Sequence, residues 1–151
     1  MHMDITQAQS CHLPAIAAIE RDCFGGEAWP AELIARLLPR FTVAAEDGRV
    51  LGYLALSSVL DEGCVDNVAV APAYRRRGVA DALLDAAAKR AADMGLATLT
   101  LEVRAGNEPA ICLYEKHGFI TVGRRKNYYE RPREDAILMT KTLTAPAENR
   151  E

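Results

Sequence analysis

Two separated stretches of this chain follow one plan: a β-rich run, a tight turn, then an amphipathic helix. The first is VDNVAVAPAYRRRGVADALLDAAAKRA, residues 65–91, and the second is LTLEVRAGNEPAICLYEKHGF, residues 99–119. A helix with one apolar stripe, fed by a strand, has to bury that stripe against a sheet. That commits the chain to a layered architecture of sheet and helices. The first turn lies where helix amides without internal partners can hold an anion. The second stretch carries a carboxylate, Glu102, and a phenol, Tyr114. An anion cradle with a base and an acid is an enzyme pattern.

The rest of the chain supplies the sheet. Met3 to Thr6 predicts a short edge strand. Ser10 is placed to cap a helix running to about Cys23, with Leu13, Ile16, Ala17 and Ile19 on its apolar side. Gly25-Gly26 breaks it, Pro30 opens a second helix over 31–38, and Pro39 stops that one. Strands are predicted over 42–46 and 50–59, joined by the hairpin pair Asp47-Gly48, and over 64–70 after a turn at 60–63. The longest helix spans 78–94, with Val79, Leu83, Ala87 and Ala91 recurring every four residues, and Gly95 ends it. Residues 98–103 read as a near-continuous apolar strand covered on both faces. A last helix begins near Glu108, because a residue before proline resists helical angles, and stops at Gly118. Two further strands, 119–125 and 136–143, are expected to be antiparallel. The fold class is α+β in three layers: a central mixed sheet of about six or seven strands flanked by about four helices. One domain over 1–145 and a flexible tail over 146–151 complete the expectation.

Length and composition narrow the function. A chain of 151 residues fits one domain with a true core. Its 50% apolar content argues against disorder. A net charge of −3 with no long basic run argues against wholesale nucleic-acid binding, so Arg75, Arg76 and Arg77 need a local account. The cysteines Cys11, Cys23, Cys64 and Cys112 form no CxxC pair. They read as inert core thiols, and no metal is expected. No apolar run reaches the roughly 18 residues of a membrane span, and the N-terminus has no basic region leading into an apolar one. The expected location is cytoplasmic.

In RRRGVA, residues 75–80, Gly78 frees a tight strand-to-helix turn and Ala80 allows close approach. The first helical N–H groups, the helix dipole and the arginines together suit a phosphate. The pattern is neither GxxxxGK[ST] nor GxGxxG. An ordinary turn with a solvated charge run is the plainer alternative.

Glu102 interrupts the apolar run TLTLEV. It is either a solvent-facing strand end paired with Arg104, or a general base whose pKa desolvation raises. Tyr114 either packs its helix on the sheet or donates a proton to a leaving atom. Asn107 either bonds an extended ligand or caps the helix. His117, in the last helical turn, reads as a local cap. Phe24 and Trp29 bracket the glycine break as ligand wall or core anchors.

In these residues the chain resembles the GCN5-related N-acetyltransferase (GNAT) superfamily. It looks most like its bacterial ribosomal-protein alanine N-acetyltransferase (RimI) branch. The superfamily's acetyl-CoA motif is Gln or Arg, two residues, Gly, one residue, then Gly or Ala; here it is Arg75-Arg76-Arg77-Gly78-Val79-Ala80. The narrower resemblance rests on LEVRAGNEPAICLYEKHGF and on NYYERPREDAILM, residues 127–139. It covers roughly residues 3 to 143 and is strongest after Leu60. The branch usually carries an aromatic-Pro-Trp stretch, whereas this chain has FGGEAWP, with the proline after Trp29.

The resemblance implies that the amides around Arg76 to Ala80, with Arg75, hold the pyrophosphate of acetyl-CoA. It implies that the strand carrying Val68 and Val70 splays from Val103 to admit the pantetheine arm, with a backbone N–H near Val70 polarising the thioester. Asn107 would contact that arm, Glu102 would be the base, through water, and Tyr114 the acid. Trp29, Tyr128, Tyr129, Glu134 and Asp135 would border the protein substrate. The implied acceptor is the N-terminal alanine of a ribosomal protein, bS18, with no direct nucleic acid, no membrane, and a monomer or weak dimer. An α-amine has a pKa of about 7.7–8.0, so deprotonating it is a modest task, and direct attack needs no covalent enzyme intermediate. Two other readings compete: the same fold acting on other N-termini, lysines or a small amine, and a non-catalytic acetyl-CoA-binding module.

Overall fold

The computed structural model describes residues 2–130 and 132–143; the tail expected over 146–151 lies outside them. In chain order the elements are β1 (Asp4–Gln7), α1 (Leu13–Phe24), α2 (Ala31–Arg36), β2 (Phe41–Glu46), β3 (Arg49–Val59), β4 (Glu62–Val70), α3 (Val79–Asp93), β5 (Thr98–Arg104), α4 (Glu108–Lys116), β6 (Ile120–Glu130) and β7 (Arg133–Thr142). The strands form a seven-stranded sheet in the order β1-β2-β3-β4-β5-β7-β6. It is mixed: β4 and β5 run parallel, while β1–β2, β2–β3, β5–β7 and β6–β7 are antiparallel. The expected architecture is therefore present. The chain divides into two compact units, Met1–Ser57 with Asp66–Ala87, and Ser58–Val65 with Ala88–Glu151.

In the first unit, Ser10 does not cap α1. It begins a 3-10 turn, Ser10–His12, closed by the Gln9 N–H donating to His12 Nδ1 at 2.9 Å, and α1 starts at Leu13 with Pro14 in its first turn. Gly25 ends α1 at φ 54°, an angle that a side chain would resist. The β2–β3 hairpin turns through Asp47 (φ 51°) and Gly48 (φ 78°), the left-handed pair of a type I′ turn. Ile16, Ile34, Phe41, Val43 and Tyr53 are fully buried in the core of this unit.

In the second unit, β4 pairs with β5 over Glu62↔Thr98, Gly63↔Leu99 and Cys64↔Thr100. A Cβ at Gly63 would lie 2.8 Å from the Leu99 side chain, so glycine lets these strands and their leucines close up. β5 corrects one expectation. It is not apolar on both faces: Leu99, Leu101 and Val103 are buried, and Thr98, Thr100 and Glu102 alternate onto a more open face. β6 and β7 are also longer than expected. Most of residues 126–135 belongs to a hairpin, bulged where Asn127 adopts φ 53° and the register slips between Arg125 and Tyr129.

The cysteines correct another. Cys11 and Cys112 are exposed, Cys64 is half-buried, and Cys23 is half-buried against the core of the first unit, so none is fully buried. No helix among the described residues is long and apolar enough to cross a membrane.

Candidate active site

The α3 N-terminus builds a cradle from backbone. Arg76 (φ 64°) and Gly78 (φ 81°) both turn left-handed, and the Gly78 carbonyl accepts the first helical bond, from Ala82 N–H at 3.0 Å. The amides of Val79 and Ala80 open the helix, where they have no carbonyl one turn earlier to bond. A Cβ on Gly78 would meet nothing within 4 Å, so glycine is needed here for its angle rather than for space. A 15-residue helix gives this end the positive pole of its dipole.

The three arginines do different work. Arg75 ties the turn to the end of β4: its Nε donates to the Val70 carbonyl at 3.2 Å and its Nη2 lies 3.3 Å from Cys23 Sγ. Arg77 lies 3.8 Å from Glu46 and stacks over Tyr74 at 5.5 Å, where Arg49 also donates to the Tyr74 hydroxyl at 3.1 Å. Arg76 is exposed and shapes the turn through its backbone. Val68 and Val70 are half-buried near the end of β4. Gly52 on β3 makes their approach possible. A Cβ there would stand 2.6 Å from the Ala69 carbonyl, 3.2 Å from Val70 Cα and 3.1 Å from Val79 Cγ1. Sequence reading missed Gly52, because a glycine inside a strand looks like a weak point rather than a fitting.

Trp29 is half-buried against the core, edge-on to Phe41 at 6.2 Å. Its backbone N–H donates to Glu20 Oε2 at 2.9 Å. Glu20 is 1% exposed, and its other oxygen accepts from the Tyr53 hydroxyl at 2.5 Å and Asn67 Nδ2 at 2.8 Å. This carboxyl, also missed, fixes the loop that follows α1. Burial, then the Glu20 bond, pushes the Tyr53 phenol well above its ordinary range. Phe24 is exposed.

In the second unit, Glu102 stands on the open face of β5, opposite Leu138 of β7. Its ion-pair partner is not Arg104 but Arg125 of β6, with Nε 2.9 Å from Oε2. The Tyr128 hydroxyl also bonds Glu102, and that bond is the main cause of a raised Tyr128 pKa. Of the two readings of Glu102, the solvent-facing strand end describes its surroundings, since the residue is exposed.

Tyr114 is buried on α4 and lies edge-on to Phe119 at 5.9 Å, so the packing role is present. Burial, with Tyr129 adding a smaller effect, pushes its phenol up to about 12. At neutral pH it keeps its proton, so it can give a proton or a hydrogen bond and cannot serve as a phenolate base. Asn107 caps α4, its Oδ1 accepting from Ala110 N–H at 3.3 Å. His117 is the C-cap of that helix.

The acids on β7 belong to the hairpin's own scaffold. Glu134 accepts from Gly106 N–H at 2.6 Å and from Arg104 at 3.2 Å, and Arg104 lies over the Tyr129 ring at 4.4 Å. Asp135 accepts from Asn127 N–H at 2.8 Å and Arg124 Nε at 2.6 Å. Those two bonds hold its pKa below the usual carboxylate range. Neither acid is therefore an idle charge waiting for a basic peptide. Tyr128 is exposed and edge-on to Tyr129 at 5.1 Å.

In the mixed seven-stranded sheet, α3 starts in a left-handed, arginine-flanked turn suited to the phosphates of an anionic ligand. The sequence matches the Acetyltransferase (GNAT) family over residues 13–119, and the chain belongs to that family. It is an N-acetyltransferase, with acetyl-CoA as its acetyl donor. The chain is 44% identical over 96 residues to the [ribosomal protein bS18]-alanine N-acetyltransferase of Escherichia coli (strain K12). That stretch covers 62% of this chain and 65% of the relative. The crystal structure of the ribosomal-protein-S18-alanine N-acetyltransferase from Escherichia coli superposes with a TM-score of 0.87 at 35% identity, covering 98% of each chain. Ard1 from Thermoplasma volcanium gives 0.88 at 26% identity, covering 95% of this chain and 99% of that one.

Proposed function

We propose that this chain acetylates the N-terminal alanine of a ribosomal protein of the bS18 type. The observation that carries the reading is the full-length likeness to the E. coli enzyme of that name, 35% identical over 98% of both chains. Acetyl-CoA brings a thioester whose acetyl group passes to an amine. Arg75 to Ala80 hold its diphosphate by backbone amides at the α3 N-terminus, with Val68, Val70 and Asn107 serving its pantetheine arm. Glu102 takes the proton from the acceptor's α-ammonium, directly or by a water. Tyr114, protonated at every physiological pH, gives a hydrogen bond or proton to the departing sulfur. Trp29, Tyr128, Tyr129, Glu134 and Asp135 border the acceptor. Tyr128 does so as an exposed ring, and the two acids by holding the hairpin rather than by free charge.

The test is a comparison of N-terminal peptides from cells with and without this chain by mass spectrometry. Loss of the acetylated alanine terminus of the bS18-type protein, with internal lysines unchanged, is the expected result. An unchanged terminus with a deficit in lysine acetylation, or in an acetylated small amine, moves the chain to a different acceptor.

A further inference from the structure

The geometry points to Arg125 as an internal stand-in for the acceptor's α-ammonium on Glu102, and so as a residue that sets acceptor affinity. This rests on the reading of Glu102 as the base.

Glu102 on β5 faces Leu138 of β7, and Arg125 on β6 faces Ala136 of β7. Residues 136 and 138 share one face of their strand. Neighbouring strands lie about 4.8 Å apart, so Arg125 must extend its side chain across β7 to put Nε 2.9 Å from Glu102 Oε2. What it presents there is a cationic N–H donor. A peptide's α-ammonium is a cationic N–H donor too, and it must reach the same carboxylate to lose its proton. The carboxylate has further lone pairs, but two cations held at one carboxylate repel each other, so the acceptor's ammonium competes with Arg125 for Glu102.

A second Arg–Glu pair at the same end of the sheet shows what a fixed bridge looks like. Arg104 and Glu134 keep only 23% and 25% of their side-chain exposure. They are also tied to the Pro132 carbonyl and the Gly106 N–H. The Arg125–Glu102 pair is more open, at 56% and 29%, and is strongly screened by water. Such an exposed pair shifts an equilibrium by about fivefold at most. It is weak enough to exchange and strong enough to compete. The Tyr128 ring, 5.6 Å from the Arg125 guanidinium, offers a place for the cation once it leaves Glu102.

Steady-state kinetics with an Ala-initiated peptide at saturating acetyl-CoA test this. Arg125→Gln removes the competitor while leaving an exposed, polar side chain. The peptide KM should fall by about two- to fivefold with kcat within about twofold of wild type. Arg125→Lys, which keeps a cation, should stay near the wild-type KM. An unchanged or raised KM in Arg125→Gln overturns the exchange, as does a loss of kcat that Arg125→Lys restores, for that would make Arg125 a positioning group. Glu102→Gln, measured in parallel, separates the two claims. Wild-type kcat in that variant removes the base and the exchange together. A collapsed kcat there, with an unmoved KM in Arg125→Gln, overturns the exchange alone. The Arg125 Nε–H resonance gives a second readout. It should shift when the free peptide is added to wild type and stay put with the same peptide acetylated at its N-terminus, and a resonance unmoved by the free peptide also overturns the exchange.

Discussion

Glu134 on β7 accepts the backbone N–H of Gly106 at 2.6 Å, so the last strand grips the turn from which α4 departs. A Cβ at Gly106 would fall 2.6 Å from that same oxygen. Gly106→Ala must therefore push the flexible Glu134 side chain off the amide. The expected cost is about 1–2 kcal/mol, read as a lower urea midpoint with an unchanged m-value. Glu134→Gln keeps an acceptor oxygen and should lose less. A Gly106→Ala midpoint equal to wild type would show that the bond does not hold the turn.

Gly52 gives a harsher case, because the atoms it would strike are mostly backbone. Gly52→Ala places Cβ against the Ala69 carbonyl and the start of α3. Overpacking of this kind costs about 1–3 kcal/mol. Because Ala69, Val70 and Val79 all move, acetyl-CoA affinity measured by calorimetry should fall as well. Full affinity in a destabilised protein would mean that this end of β4 does not serve the cofactor.

Glu20→Ala should be among the most damaging substitutions in the first unit. It leaves the Tyr53 hydroxyl, Asn67 Nδ2 and the Trp29 backbone N–H without their acceptor. Each buried orphan costs about 1–3 kcal/mol, so a loss of about 3 kcal/mol or more is expected. Tyr53→Phe removes one donor and should cost about 1 kcal/mol. Equal losses in the two variants would refute a carboxyl shared among three donors.

Tyr114 sets an alkaline signature. Its folded pKa is raised to about 12 by burial, against about 10 for an unfolded phenol. A raised pKa means that the folded chain keeps a proton the unfolded chain has released. Stability from this group is therefore complete below about pH 10 and is lost as pH rises toward 12. Tyr114→Phe should flatten that fall in denaturation measured across the alkaline range. An identical alkaline slope in the variant contradicts the assignment.

What the sequence made legible follows from range. Asp47-Gly48 and Gly78 were readable because left-handed turns demand particular residues locally. Glu102 and Tyr114 could be picked out because each breaks or punctuates a local pattern. Arg125 could not, since its partner lies two strands away across β7 and no local spacing marks the pair. Glu20 sits on a helix just before Arg21 and Asp22, where a carboxylate ordinarily means solvent, and its donors come from three other parts of the chain. The longer hairpin was hidden because Asn127 and Pro132 are loop residues by habit, while the bulge that accommodates Asn127 is a tertiary feature. Cys112 was misjudged because a cysteine on an amphipathic helix tends to face inward, and here it points outward.

The acceptor is tested by kcat/KM for an Ala-initiated peptide against the same peptide blocked at its N-terminus, with acetyl-CoA as donor. The free α-amine should take one acetyl group, and the blocked peptide should turn over negligibly. Efficient acetylation of a lysine in the blocked peptide, or faster turnover of a small free amine, would contradict an α-amine acceptor.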